Sequence, residues 1–218
     1  MLVGVVSGSG ALAACKDPPA AGVDWTDCEK HRLVLAGANL ADARLTGADL
    51  NGTDLQRARL AGADLTRASV DRVRLSGADL SRAKLVQLNG YRANFGSANL
   101  SGADLTKAEL ARANLASANL AQANLSKAEL QRASLVGSNL DGANLTGADL
   151  ARTDMGKARL DGTQMAQART FRARVEGVDL SRVVGLSQAQ LDSACGDAAT
   201  RLPKGLKTPS VWPCANDE

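Results

Sequence analysis

Aromatic residues are almost missing from this chain: two Trp, two Phe and one Tyr amount to 2% of 218 residues. Whatever core it buries must therefore be aliphatic. Histidine occurs once, as His31, so neither a Ser-His-Asp nor a Cys-His catalytic set can be assembled. No Cys pair has the C-x-x-C spacing of a zinc site, and no metal, cofactor or small-molecule substrate is implied. No apolar run reaches the length that crosses a bilayer. Charge of one sign is lacking as well: 26 Lys and Arg against 23 Asp and Glu leave +3, too little for a strong field toward nucleic acid or membrane.

What the chain does have is a five-residue period from about residue 33 to residue 187. Aligned on Ala98-Asn99-Leu100-Ser101-Gly102, each unit reads small residue, Asn or Asp, Leu, then two variable positions. Of the thirty central positions from Leu35 to Leu180, twenty-three are Leu; the exceptions are Val70, Gly90, Phe95, Met155, Met165, Thr170 and Val175. Of the thirty small positions from Ala38 to Val183, twenty-two are Ala. Five is neither the period of a strand nor that of a helix, so the chain must turn regularly. The small residue and the Leu, two apart, point inward from one extended segment while the Asn or Asp between them points out. The remaining two residues turn a corner. Gly fills the last position eleven times in the thirty-one units ending at Arg32 to Arg182, which suits positive φ there. Units without Gly lead to the expectation that a second turn type coexists. Phe95, one unit after Gly90, is expected to fill the space that Gly90 leaves.

Tandem A-[DN]-L-x-x units resemble the pentapeptide repeat family. The resemblance implies an all-β fold, a right-handed quadrilateral β-solenoid with four pentapeptides to a coil and the Leu and small residues filling the interior. Thirty units from Leu33 to Arg182 then make about seven to eight coils. At a coil rise of ~4.8 Å the rod is roughly 36 Å long. The family's best-known members protect type II topoisomerases from quinolones by imitating DNA with a strongly acidic rod. This chain is slightly basic, so DNA mimicry stands as the alternative function and nucleic acid as an unexpected partner.

The ends divide the rest: a signal-like apolar segment at 1–14, an N-terminal cap at 15–32, the solenoid at 33–187, and a helix with a clamped tail at 188–218. The first segment is uncharged and offers Ala11-Leu12-Ala13 as an export cleavage site. Leu12-Ala13-Ala14-Cys15 also resembles a lipobox, which would make Cys15 a lipid anchor. The four Cys lie outside the repeat, two at each end, and suggest two disulfides, Cys15–Cys28 and Cys195–Cys214, in an exported, periplasmic protein. Trp25 is large enough to cover the first coil. Ser187 and Gln190 form the sequence of a capping box, so a short helix is expected across the last coil, with Gly196 as its stop. Such a tail is similar to those of exported proteobacterial pentapeptide proteins.

Charge is where function would be written. Every twentieth residue from Arg32 gives Arg32, Gly52, Arg72, Arg92, Arg112, Arg132, Arg152 and Arg172 on one corner. The next corner carries Arg67, Gln87, Lys107 and Lys127. Glu109, Glu129 and Asp149, three residues before Arg112, Arg132 and Arg152, are expected to compensate them in a ladder of surface ion pairs. The sharper expectation is a contact strip, Arg72, Arg92, Arg112, Arg132, Arg152 and Arg172, for a protein or an anionic envelope polymer, since the guanidinium fork binds phosphate or carboxylate bidentately. The reading is a non-catalytic, exported interaction or scaffold protein.

Overall fold

In the computed structural model, which describes residues 15–214, the five-residue period becomes a coil of four short sides and four corners. Single parallel bridges join residues twenty apart, Asp24 to Arg44, Glu29 to Asp49, Val34 to Asp54 and Asn39 to Arg59, and continue as four ladders along four faces. Each side has too few residues to pair within a coil, so its amides bond to the coils before and after it. Leu45 N donates to Asp64 O at 2.7 Å, Asp64 N to Ala43 O at 2.9 Å, and the corner amide of Gly47 to Thr66 O at 2.9 Å. A β-solenoid results, in which backbone satisfaction and stacking are one requirement.

The inward columns are closed to solvent: Leu100, Leu120 and Leu140 are fully buried, as are Ala103, Ala123 and Ala143 beside them. Each buried Leu contributes about 1.5–3 kcal/mol, and the core needs no aromatics. Thr53, Thr153 and Thr163 occupy small positions and donate their hydroxyls to the carbonyls of Lys30, Leu130 and Leu140 at 2.7–2.8 Å, so no buried hydroxyl there is orphaned. A Cβ on Gly90 would stand 2.9 Å from Leu110 and 3.3 Å from Val70, its neighbours in the same column, and Phe95 is itself fully buried.

The corners from 22 to 177 share one sign of φ whether or not they carry Gly, so a side chain there does not bring a second turn type, and the corner at Arg182 departs from them. All positions from 22 to 177 in steps of five have positive φ; twenty carry a side chain, with φ between 52° and 60°. The outward Asn or Asp explains how the corner is held. Its Oδ1 accepts the N–H two residues on, as from Asn51 to Asp49 (2.9 Å), Ala121 to Asn119 (3.2 Å) and Thr146 to Asn144 (2.9 Å). These are Asx turns, the reason for Asn or Asp in that place. Amides also stack along a face: Asn119 Nδ2 donates to Asn99 Oδ1 and Asn99 Nδ2 to Asp79 Oδ1.

The coil frame begins before the visible repeat. Val23 and Cys28 sit in small positions and Trp25 in a Leu position, all buried, and the ladders start at Asp24. The Trp25 indole N–H donates to Asp17 O at 3.2 Å, Lys30 lies over its ring, and a disulfide joins Cys15 to Cys28. Residues 1–14, with the expected export segment and cleavage site, lie outside the described residues. At the other end a helix, α1 (Gln188–Ser193), is inserted between coil segments. The Ser187 hydroxyl accepts from Gln190 N, and the Gln190 side chain accepts from Ser187 N. Gln190 Nε2 also donates to the carbonyls of Met165 and Ala168, tying α1 to the coil beneath. The ladders resume past α1 at Cys195 and Arg201. A second disulfide joins Cys195 to Cys214, and the Trp212 indole N–H donates to Ala194 O at 2.7 Å.

Candidate functional site

The side chains that leave this rod do so from faces and corners, and several of their ion pairs follow the ladders, while others, such as Arg159 with Asp141 and Arg174 with Glu176, do not. Arg44 pairs with Asp24, Arg74 with Asp54, Lys84 with Asp64 and Arg169 with Asp149, each cation one coil after its carboxylate. An Asp in a face position does two things at once: Oδ1 holds its own corner and Oδ2 receives the cation of the next coil. Hydrogen bonds from the Thr26 hydroxyl and backbone N–H, then from Arg44, hold the Asp24 carboxyl down at about 2. The Gln56 N–H, with Arg74, lowers Asp54, and the Ser181 hydroxyl and N–H, with Arg201, lower Asp179.

The arginine corner stands outside this scheme. Arg32, Arg72, Arg92, Arg112, Arg132, Arg152 and Arg172 are all exposed and all have positive φ. The ion pairs expected from Glu109 to Arg112, from Glu129 to Arg132 and from Asp149 to Arg152 do not form. Asp149 is taken by Arg169 at 2.9 Å and by Gln131 Nε2 at 2.8 Å. Among the described residues, Arg72, Arg92, Arg112, Arg132 and Arg152 have no carboxylate within 4.0 Å. At Asp149 the face residue twenty after, Arg169, lies directly alongside and takes the carboxylate, whereas Glu109 and Glu129 have Glu129 and Asp149 in that place. With a coil rise of ~4.8 Å, five like charges are stacked over ~19 Å without internal neutralisation.

Backbone conformation makes the column costly. A residue with a Cβ in the left-handed region costs about 1–2 kcal/mol, and glycine avoids most of it. The corner that runs through Gly22, Gly62 and Gly102 has five Gly in its eight positions from 22 to 162, whereas the arginine corner has only Gly52 in its eight from 32 to 172. The arginine corner thus carries the largest share of this strain, seven of the twenty side-chain-bearing corner residues, with six on the adjacent corner of Arg67, four on that of Gly37 and three on that of Gly22. At Gly52 the column is interrupted by an open cleft of about 490 Å³, lined by His31, Arg32, Asp49, Asn51, Asp71 and Arg72. On the next corner, Arg67, Lys107 and Lys127 are likewise exposed at positive φ. Among the described residues no group of His, Cys, Asp and Glu could hold a metal ion.

The pentapeptide repeat profile matches in eight copies, across residues 34–72, 74–111, 108–147, 128–167 and 143–184. The chain belongs to the pentapeptide repeat family. Comparison with curated proteins returns no match. Among solved structures, this pentapeptide repeat protein is similar to HetL, involved in heterocyst differentiation regulation in the cyanobacterium Nostoc sp. strain PCC 7120. The two are 25% identical with a TM-score of 0.63 over 95% of this chain and 94% of that one. It is also similar to full-length QnrB1, a plasmid-mediated fluoroquinolone resistance protein, at 15% identity and a TM-score of 0.58 over 81% of this chain and 89% of that one. The likeness to QnrB1 is one of fold.

Proposed function

We propose that this pentapeptide repeat protein is an exported, non-catalytic binding rod that holds anionic components of the cell envelope along the corner from Arg72 to Arg152. The observation that carries the reading is the stack of five exposed guanidinia, one per coil, with no carboxylate within 4.0 Å among the described residues. Export is supported by the disulfides Cys15–Cys28 and Cys195–Cys214, which belong in an oxidising compartment. Engagement of the Cys15 sulfur by Cys28 favours a soluble periplasmic protein over a lipoprotein anchored there. The absence of a catalytic role is supported by an interior filled with Leu and Ala columns that are closed to solvent.

The test replaces Arg92, Arg112 and Arg132 together with Ser and measures retention on an anionic envelope fraction at graded salt. The parent protein should be retained at low salt and released as salt rises, and the triple variant should pass through. Equal retention of the two rejects the strip. The alternative, a DNA mimic acting on a type II topoisomerase, needs phosphate-like negative charge along the rod, and the exposed Arg corner opposes it. Inhibition of gyrase supercoiling at micromolar protein would reverse that order.

A further inference from the structure

We propose that the arginine corner is a track for an acidic glycan of the polyuronate type, one carboxylate per sugar, laid parallel to the rod axis between Tyr91 and Phe171. This rests on the anion-binding reading above and specifies its ligand. The corner carries a second row, one residue before the arginines, and that row holds the aromatic side chains the core does not use. Trp25 and Phe95 are buried and Trp212 is bound to Ala194, whereas Tyr91 and Phe171 precede Arg92 and Arg172 directly. The guanidinium of Arg92 lies 5.2 Å from the Tyr91 ring and that of Arg172 lies 5.8 Å from the Phe171 ring. Phe171 is 55% exposed and borders a shallow cleft of about 270 Å³ shared with Gln190 and Ser193.

Between the two rings the row is Ala111, Gln131 and Ala151, with small side chains at two of three places. The rings therefore stand at the two ends of a row four coils long, ~19 Å at the coil rise, flanked by Arg112, Arg132 and Arg152. Gln131 gives its Nε2 to Asp149 at 2.8 Å, which holds its side chain against the face row and out of the path. On the side away from the arginines run the exposed carboxylates of Glu109 and Glu129. A bare polyphosphate is repelled by that row. A uronate chain is less densely charged: it offers alternate carboxylates to the Arg row, has hydroxyl donors between them for Glu, and can stack the apolar faces of its rings on Tyr and Phe. One pyranose advances by about as much as one coil and successive uronates alternate about the chain axis, so every second carboxylate meets every second guanidinium of the column.

The test is calorimetric titration of the oxidised full chain with oligogalacturonates of graded length, with their methyl esters, and with inorganic polyphosphate. Affinity should rise with length and level off at about five sugars, the span of the row at ~4.8 Å per coil. The esters should not bind, and polyphosphate should bind more weakly than the pentamer. The double variant Tyr91→Ala, Phe171→Ala, whose side chains lie outside the core, should lose about tenfold in affinity for the glycan, from two stacking contacts. It should keep its affinity for polyphosphate and its melting temperature. Equal binding of polyphosphate and glycan with an unimpaired aromatic variant overturns the glycan and leaves the anion strip standing. No binding of either polyanion, or full binding by the triple Ser variant, removes the strip as well.

Discussion

Replacing Arg112, Arg132 and Arg152 together with Gly should make the protein more stable and less able to bind. Their φ values are 60°, 59° and 58°, in the region where a Cβ is crowded by the following carbonyl. Relief of that crowding is worth about 1–2 kcal/mol per site, against which the looser unfolded chain of a glycine costs about 0.5–1 kcal/mol. None of the three forms an ion pair among the described residues, so none is lost. Packing sets the opposing contribution: the stem of Arg32 lies 3.6 Å from where a Cβ on Gly52 would be, so each arginine stem rests on the next coil. That contact is solvent-exposed and small, and separating like charges ~4.8 Å apart works in the same direction as the backbone. The net is about 2 kcal/mol for the three sites, or roughly 4–8 °C in melting temperature for a chain of this size. Differential scanning calorimetry of the oxidised protein reads the shift, and retention on the anionic fraction reads the function. A melting temperature that falls by several degrees would show that the column is structural, and the argument from strain would be withdrawn.

Three further perturbations test the fold. The carboxyls of Asp24, Asp54 and Asp179 are lowered in the folded protein, Asp24 to about 2, so the stability they contribute is complete above their unfolded value of about 3.9. Melting temperature should therefore hold down to about pH 4 and fall between there and pH 2, and a protein most stable near pH 2 would contradict the pairing. Gly90→Leu restores the repeat's most common residue yet should destabilise by about 1–3 kcal/mol, because Leu110 and Val70 already occupy the space; a denaturant midpoint that rises would refute that packing. Replacing Cys195 and Cys214 with Ser opens a link spanning 19 residues and should cost about 3 kcal/mol, with hydrogen exchange accelerating first around α1 and the ladder at Arg201. Uniform loss of protection along the rod would mean that the tail is not a local clamp.

The period was sufficient to place the inward columns, because a five-residue repeat with Leu and Ala two apart has only one way to bury both. With the four-unit coil that the family resemblance implies, it also placed the arginines on one corner, twenty residues apart. Three features escaped. Trp25 and Cys28 break the consensus but keep its frame, so the first coil was visible only to a reading that continued the count of five backward past a substituted Leu position. The shared positive φ of the corners from 22 to 177 escaped because Arg and Lys there contradict local preference; it is imposed by the amides of the adjacent coils, as when Arg112 N donates to Gln131 O at 2.9 Å. The ion pairs escaped because proximity in sequence misleads in a solenoid: Glu109 is three residues from Arg112 and does not pair with it, whereas Arg169 is twenty from Asp149 and does. The row of Tyr91 and Phe171 was legible all along, as the residues immediately before two members of the arginine column.

The central claim is that one corner of the rod, and not its cationic surface in general, holds an anionic polymer. The most direct measurement is the shift of the arginine side-chain N–H resonances when the oxidised protein is titrated with an oligogalacturonate pentamer. The account predicts saturable shifts of Arg92, Arg112, Arg132 and Arg152, with Arg57 and Arg82 on other corners unmoved. Equal shifts on every corner, or shifts confined to Arg57 and Arg82, would contradict it.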